Sequence, residues 1–314
     1  MDFEKPIADI DKKINELKIF ASDKGIDLSG QISQLQAEKE EKIKELYSNL
    51  STWDKVAISR HPDRPYTQDY IDRIVTDFVE LHGDRLYKDD HAIIGGLGKI
   101  DGMKVMVIGH QKGRTTEEKL YRNFGMANPE GYRKALRLYR MAERFHIPIL
   151  TLIDTPGAYP GIEAEKHGQG EAIAMNLMVM SDLAVPIVAV DIGEGGSGGA
   201  LALSVADRIY MMENSIYSVI SPEGCAAILY KDASKAAEAA ENLKITANSL
   251  LELGTIDGVI PEPVGGAHRD HDTAAANLKK VVMEAFNELK DKDVAELTKA
   301  RYNKFRKIGF FSGR

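Results

Sequence analysis

The sequence has little of three features that mark whole classes of protein. It holds one cysteine, Cys225, so it can form no intrachain disulfide and no zinc site that needs two or four cysteines. Its longest apolar runs, IPILTLI at 147–153 and LAVPIVAV at 183–190, are too short to cross a bilayer. The acidic N-terminus MDFEKPIADID lacks the basic region and the apolar core of a secretion signal. We therefore expect a cytoplasmic protein that does not enter a membrane.

A clustered positive charge is also missing. The 314 residues carry a net charge of −7, whereas proteins that bind nucleic acid through its phosphates usually present a basic surface. The composition, 43% hydrophobic and 28% charged, is that of a globular protein with a sizeable core. These figures argue against nucleic acid as the main partner and against a disordered chain.

The first part of the chain differs from the rest. Two charged helical stretches flank the break DKGIDLSG at 23–30, and the second stretch carries an apolar stripe near a heptad period. The stripe consists of Ile32, Leu35, Ile43, Leu46 and Leu50. We predict a helical hairpin that packs on the main body or on another chain. With the proline-containing RHPDRPY turn at 60–66, it divides the chain into a segment over 1–60 and a domain over 61–314.

From about residue 67 onward, short apolar segments alternate with helices, which is typical of an α/β protein. Asp101-Gly102 predicts a hairpin between strands at 92–100 and 104–110. The remaining predicted strands are 147–154, 185–192, 208–213 and 216–220, and the predicted helices are 131–145, 170–183, 199–206 and 273–290. We interpret the basic, aromatic tail over 301–314 as a docking segment or a frayed end. Because the central strands lack alternation, we expect a parallel sheet covered on both faces.

The segment GEGGSGGALALSVADR at 193–208 places many glycines between a predicted strand and a predicted helix. One interpretation is the dinucleotide fingerprint G-x-G-x-x-G, formed by Gly193, Gly195 and Gly198, with Glu213 in the position of the acidic ribose ligand. The segment comes late in the chain, however, after several strands. A first-strand position is usual for that fingerprint.

A second interpretation is the nucleophile elbow G-x-S-x-G, formed by Gly195, Ser197 and Gly199. It makes the chain a serine hydrolase with Ser197 as the nucleophile. Asp257 followed by His268 or His271 stands in the order that this class requires. No sequence feature brings those residues to Ser197.

A third interpretation is an oxyanion hole of backbone N–H groups at the start of the helix, with Gly198 and Gly199 as donors. Such a site usually takes a second donor from another loop. The strand IPILTLID is followed by such a turn, Pro156-Gly157-Ala158, before Pro160-Gly161. We expect the two turns to lie side by side at the carboxyl edge of a parallel sheet, where ligands bind. The alternative for 156–161 is a tight connection without a further role.

Long motifs over nearly the whole chain resemble the carboxyltransferase alpha subunits of bacterial acetyl-coenzyme A carboxylase. Beside DTPGAYPG at 154–161 and the glycine segment, the motifs are HGDR at 82–85, GHQKGR at 109–114, NFGMANPEGYRKALRL at 123–138, YSVISPEGCAAILY at 217–230 and IPEPVGGAHR at 260–269. The resemblance implies a crotonase-like ββα superhelix preceded by the helical hairpin.

The resemblance also implies the reaction and its participants. A carboxyl group passes from carboxybiotin, which a biotin carboxyl carrier protein presents, to acetyl-coenzyme A and gives malonyl-coenzyme A, the first committed step of fatty acid synthesis. A beta subunit with a zinc ribbon holds the acetyl-coenzyme A in an α₂β₂ assembly. Biotin carboxylase and ATP binding belong to the complete complex, and no metal is expected on the present chain.

For the site, the resemblance implies that Gly198 and Gly199 bind the oxyanion on the biotin side. We expect Gly157, Ala158 and Gly196 to form the adjoining wall of that subsite. The ureido anion of biotin is expected to take the proton from the acetyl group, so no side chain is required as a base. His82, His110, Lys112 and Arg114 are assigned no chemical role, because such residues more often make structural hydrogen bonds or face solvent.

Overall fold

The computed structural model describes residues 1–309, and over these residues eight strands form one sheet. The strands are Thr76–Glu80 (β1), Ile93–Ile100 (β2), Met103–His110 (β3), Ile149–Thr155 (β4), Ile187–Gly196 (β5), Arg208–Met212 (β6), Ile216–Ser218 (β7) and Gly258–Ile260 (β8). Their order is β1-β2-β3-β4-β5-β6-β8, and β7 pairs with the last residues of β5. The first two pairings are antiparallel and the others parallel.

The helices are Lys5–Lys24 (α1), Ser29–Tyr47 (α2), Thr52–Ser59 (α3), Thr67–Ile74 (α4), Thr116–Tyr121 (α5), Pro129–Arg144 (α6), Ile162–Lys166 (α7), Gln169–Asp182 (α8), Ser197–Leu201 (α9), Pro222–Leu229 (α10), Ala236–Leu243 (α11), Ala247–Glu252 (α12), His271–Leu289 (α13) and Val294–Lys307 (α14). Helices α1 to α4 precede the first strand, the others lie between or after the later strands, and both faces of the sheet are covered. No helix in residues 1–309 is long and apolar enough to span a bilayer.

The central strands are buried on both faces, as the uninterrupted apolar runs predict. In β4, Ile149 and Ile153 pack in a core that includes residues of α6 and α8, whereas Leu150 and Leu152 pack in a second core with residues of α4 and α13. The predicted hairpin at Asp101-Gly102 is confirmed. Both turn residues have positive φ, at 47° and 83°, as a tight turn between twisted strands requires.

The N-terminal helices form the predicted hairpin, and its open end packs on the main body. Gly25 ends α1 with φ at 63° and so allows the chain to reverse into α2. At the other end Ile43 of α2 lies against Gly265, and Arg269 donates to Glu4. The sequence left open whether the apolar edge meets the body or another chain, and this contact with the body answers the question for the open end.

Two sequence predictions need correction. The strand predicted to end at 192 continues as β5 through Gly196, because residues 194–196 pair with β7 and Gly195 also pairs with Thr155. The helix predicted over 199–206 is only the short α9, which begins at Ser197.

The C-terminal prediction also fails in part. Residues 301–307, expected to be a docking or frayed segment, belong to α14, which begins where Asp293 caps the amides of Ala295 and Glu296. Arg301 is buried, and its guanidinium is bonded to Asp207 at 2.8 Å and to three backbone carbonyls. The part of the tail prediction that falls on 310–314 lies outside the described residues.

Candidate active site

The two glycine-rich turns meet at one edge of the sheet. Strands β4 and β5 are parallel neighbours, so the residues that follow them, 156–161 and 197–199, leave the sheet side by side. The sequence predicted this juxtaposition, and the structure confirms it. The carboxyl edge of a parallel sheet is also where ligands bind in α/β folds.

Gly196 and Gly199 are required by the packing of one turn on the other. A Cβ atom at Gly196 would overlap the carbonyl of Pro156. A Cβ atom at Gly199 would lie 2.7 Å from the Ala158 nitrogen and 2.9 Å from the Tyr132 hydroxyl. Since real Cβ atoms essentially never approach this closely, any larger residue would push the two turns apart.

Gly198 differs from both neighbours. The nearest atom to a Cβ placed there is Ile173 Cδ1, at an ordinary 3.5 Å, and its φ is not positive. Neither packing nor backbone conformation therefore demands glycine at this position. The residue is only partly buried, so its amide is not enclosed by the protein.

The backbone amides at this point suit an anion. Gly196, at the N-cap of α9, has no side chain to cap the first turn of the helix. On the adjoining turn, the amide of Gly157 already donates to Thr155 Oγ1 at 3.1 Å. Of the predicted pair Gly157 and Ala158, the second is therefore the better candidate for an amide that points to a ligand.

A buried ion pair beside the two turns fixes their spacing. Asp154 Oδ1 accepts a hydrogen bond from Lys112 Nζ at 2.6 Å and another from the Glu194 amide at 3.0 Å. Burial alone lowers the pKa of Lys112, but the charges of Asp154 and Glu194 outweigh it and raise the pKa, so the ammonium stays charged. Arg60 in turn bonds the Glu194 carboxylate at 2.8 Å.

Burial shifts the pKa of two other groups near the turns. Burial and the charge of Lys112 lower the pKa of His110 to about 3, so its imidazole is neutral at physiological pH. Burial raises the pKa of Asp191 well above its ordinary value, and its Oδ1 accepts the Gly193 amide at 3.0 Å. Sequence reasoning missed Asp154, Asp191 and Glu194, although an acid directly before a glycine-rich turn was a usable signal.

The remaining sequence candidates have structural partners. His82 contacts Asp89 at 3.0 Å on the surface. Arg114 binds Asp69 at 2.8 Å and lies over the Tyr66 ring, 4.7 Å from its centroid. These contacts show structural partners for His82 and Arg114, as expected from the sequence.

The nucleophile elbow is not assembled. Ser197 has the positive φ, 52°, that a sharp strand-to-helix turn imposes. Yet Asp257 binds the Ile209 amide at 2.7 Å and Lys304, whereas His271 contacts the Asp63 carbonyl at 2.7 Å. The His268 ring packs at a tilt against the His61 ring, and none of the three residues hydrogen-bonds Ser197 within residues 1–309.

The dinucleotide fingerprint is not realised either. Gly193 and Gly195 belong to strand β5 instead of a phosphate-binding turn. Glu213 accepts the Glu262 amide at 3.1 Å, so its carboxylate already serves a structural bond.

The chain matches a known protein family over nearly its whole length. The family model "Acetyl co-enzyme A carboxylase carboxyltransferase-like" matches residues 1–309. The chain is 63% identical over 312 residues to the acetyl-coenzyme A carboxylase carboxyl transferase subunit alpha of Fusobacterium nucleatum, with 99% of this chain and 100% of the relative covered. The same subunit of Geobacter metallireducens is 57% identical, with coverage of 99% and 98%.

A solved structure, transcarboxylase 12S, resembles the fold with a TM-score of 0.61 at 20% identity, over 76% of this chain and 44% of that one. It supports the crotonase-like fold that the sequence predicts. The site at the carboxyl edge and the full-length matches lead to one assignment: the chain belongs to the family of acetyl-coenzyme A carboxylase carboxyltransferase alpha subunits.

Proposed function

We propose that the chain provides the carboxybiotin side of a centre that carboxylates acetyl-coenzyme A to malonyl-coenzyme A. The observation that carries the proposal is Gly198, a glycine that neither contacts nor backbone angles require, at the uncapped start of α9. Keeping this position free of a side chain leaves room for a ligand oxygen against the helix amides.

In this proposal the Gly198 and Gly199 amides stabilise the negative charge on the ureido oxygen of biotin. The bond between biotin nitrogen and the carboxyl carbon breaks and releases CO₂. The ureido anion then takes a proton from the acetyl methyl group, and the resulting thioester enolate attacks CO₂ at carbon. Donors placed where charge develops are worth roughly 10²–10³ in rate each.

The charges of the side chains around the turns are consistent with a mechanism in which the amides stabilise the anion and the substrate transfers the proton. His110 is neutral, and Lys112 is held in an ion pair with Asp154. Burial raises the pKa of Asp191 well above its ordinary value. Lys112 is held as the charged partner of Asp154 and is therefore no base, and in this proposal the proton transfer is assigned to the substrate itself.

The proposed partners are those that the family resemblance implies. A beta subunit holds acetyl-coenzyme A and the zinc ribbon, in an α₂β₂ assembly. A biotin carboxyl carrier protein delivers the carboxybiotin, and biotin carboxylase, which binds ATP, reloads it. The proposed setting is fatty acid synthesis in the cytoplasm.

The experiment is reconstitution from separate subunits. The purified chain is mixed with carboxybiotin and acetyl-coenzyme A, with and without the beta subunit, and malonyl-coenzyme A is measured. We expect product only in the mixture that contains both subunits, because the thioester side of the centre lies on the partner. Full activity of this chain alone would refute the two-subunit proposal.

A further inference from the structure

Away from the glycine turns, three ionisable side chains from distant parts of the chain meet at the open end of the N-terminal hairpin. Glu4 precedes α1, His61 lies in the turn after α3, and His268 lies in the loop before α13. One ligand atom of each, a ring nitrogen or a carboxylate oxygen, lies within 4.8 Å of the other two. The proposed carboxyl transfer uses none of them.

His268 is the unusual member of this cluster. Its side chain is 5% exposed, and neither ring nitrogen has a hydrogen-bond partner among residues 1–309. A buried polar atom without a partner costs about 1–3 kcal/mol, so folded proteins rarely leave one unsatisfied. Its Nε2 lies 3.8 Å from Glu4 Oε1, and its ring centroid is 4.2 Å from that of His61.

We propose that Glu4, His61 and His268 bind a divalent transition-metal ion of the zinc type. Two imidazoles and one carboxylate suit Zn²⁺, Ni²⁺ or Cu²⁺ and do not suit Mg²⁺ or Ca²⁺, which prefer oxygen ligands. Three protein ligands leave a fourth position for water. This site departs from the sequence-based expectation that the chain carries no metal.

The geometry needs only small adjustments. Zinc bonds of about 2.0–2.2 Å place tetrahedral ligand atoms roughly 3.3 Å apart. The present separations, 3.8 Å for Glu4–His268 and at most 4.8 Å within the cluster, have to shorten by roughly 0.5–1.5 Å when the ion binds. The Tyr47 hydroxyl donates to Glu4 Oε1 at 2.7 Å and orients the carboxylate, as the outer partners of metal ligands do.

Two existing contacts compete with the ion and set its affinity. The Arg269 guanidinium donates to Glu4 Oε1, so the ion must share or replace that partner. The Asp63 amide donates to His61 Nδ1 at 3.2 Å. Ligation through Nε2 moves the imidazole proton to Nδ1 and breaks this long bond. We therefore expect Arg269→Gln to increase the affinity for the metal ion, because it removes the cation that competes with the ion for the Glu4 carboxylate.

The ion would act as a clamp. Its ligands come from before α1, from the turn after α3 and from the loop before α13, so it fastens the hairpin to the main body. Because the ligands are brought together only in the folded chain, binding stabilises the fold by mass action.

The test titrates the metal-free, full-length chain with Zn²⁺ in a calorimeter and follows the thermal unfolding midpoint. We expect one ion per chain and a higher midpoint. His61→Gln and His268→Gln each lower the affinity at least about tenfold, because losing a ligand costs no less than the roughly tenfold that losing an outer partner of a ligand costs. His146→Gln, at an exposed position outside the cluster, is the matched control and leaves binding unchanged.

The apo form of each variant is first compared with the wild type by circular dichroism. If a histidine variant fails to fold, Glu4→Gln and X-ray absorption of the Co²⁺-loaded wild type decide, since two imidazoles and one carboxylate give a distinct ligand signature. Absence of uptake by the wild type at millimolar Zn²⁺ would overturn the proposal. Uptake that survives all three substitutions would overturn it equally.

Discussion

Asp154 and Glu194 are joined by a hydrogen bond of 3.0 Å, from the Glu194 amide to Asp154 Oδ1, where strands β4 and β5 fall out of register. Ile153 pairs with Asp191, but Thr155 pairs with Gly195, so β5 carries two extra residues at this point. The Asp154 carboxylate takes the place of a ladder bond inside this bulge. It thereby fixes the turn after β4 relative to the turn after β5.

The first prediction concerns Lys112, whose ammonium neutralises Asp154. Lys112→Met leaves the carboxylate buried and unpaired, which destabilises the fold by about 3–5 kcal/mol. Lys112→Met with Asp154→Ala removes both charges, so much of that stability returns. The turnover number of this double variant in the assembled enzyme should remain about a hundredfold below that of the wild type. The reason is that the hydrogen bond from the Glu194 amide to Asp154 is lost, so the two turns no longer keep their spacing.

Urea unfolding and steady-state kinetics measure the two effects separately. A positioning role lowers kcat and leaves KM for acetyl-coenzyme A nearly unchanged. If the double variant recovers rate together with stability, the pair only supports the fold.

The second prediction tests the open glycine. Gly198→Val should lower carboxyl transfer at least about a hundredfold, the value of one lost oxyanion donor. The β-branched side chain would stand where the ureido oxygen must lie. Gly170→Val is the matched control, because Gly170 is exposed and nothing lies within 4 Å of its added Cβ. Turnover near the wild-type rate in a correctly assembled Gly198→Val enzyme would show that the substrate binds elsewhere.

Local signals account for what the sequence predicted. Asp101-Gly102 specifies its hairpin through two positive φ values, and the loops at 156–161 and 197–199 were placed together by the rule for neighbouring parallel strands. The fold family followed from long motifs, not from periodicity.

What the sequence did not reveal depends on long-range contacts. Asp154 and Glu194 are 40 residues apart, and no residue pattern near either one predicts the bulge between β4 and β5. Helix α14 was missed because its many charged residues are typical of a solvent-exposed terminal segment. Its position depends on the hydrogen bond from Arg301 to Asp207, which is 94 residues away in the sequence. His110 was an ambiguous histidine until its complete burial was known.

The third prediction concerns acid stability. Burial alone raises the pKa of Glu262, but the Arg64 charge and hydrogen bonds from Arg64 and Asn214 outweigh it and lower the pKa to about 2. A lowered folded-state pKa means that the unfolded chain binds the proton first. The stabilisation is therefore complete above about pH 4.5 and is lost as the pH falls toward 2.

Its measurement is urea unfolding at several values of pH. The double variant Arg64→Met with Glu262→Gln removes the pair without leaving a buried charge, and it should lose stability less steeply between pH 4.5 and 2 than the wild type. The difference in free energy of unfolding amounts to roughly 3 kcal/mol across this window. Equal slopes in the two proteins would mean that the pair does not drive acid unfolding.

The last prediction separates the two enzyme classes that the glycine segment suggested. In the proposed carboxyltransferase mechanism, the amides beside Ser197 stabilise the oxyanion, and the hydroxyl contributes little. Ser197→Ala keeps those amides, so the rate should fall less than about tenfold, which corresponds to under about 1.4 kcal/mol of barrier. A hydrolase that loses its nucleophile would lose on the order of 10⁴ or more in rate.

The measurement is steady-state turnover of Ser197→Ala in the assembled complex, together with exposure of the wild type to a fluorophosphonate probe. Ser204→Ala serves as the control, since its hydroxyl lies 2.7 Å from the Tyr217 hydroxyl and away from the amides in question. We expect no labelling at Ser197, because no histidine hydrogen-bonds its hydroxyl within residues 1–309 and an unactivated serine is a weak nucleophile. Stoichiometric labelling at Ser197 with a collapse of activity in Ser197→Ala would instead establish the serine mechanism.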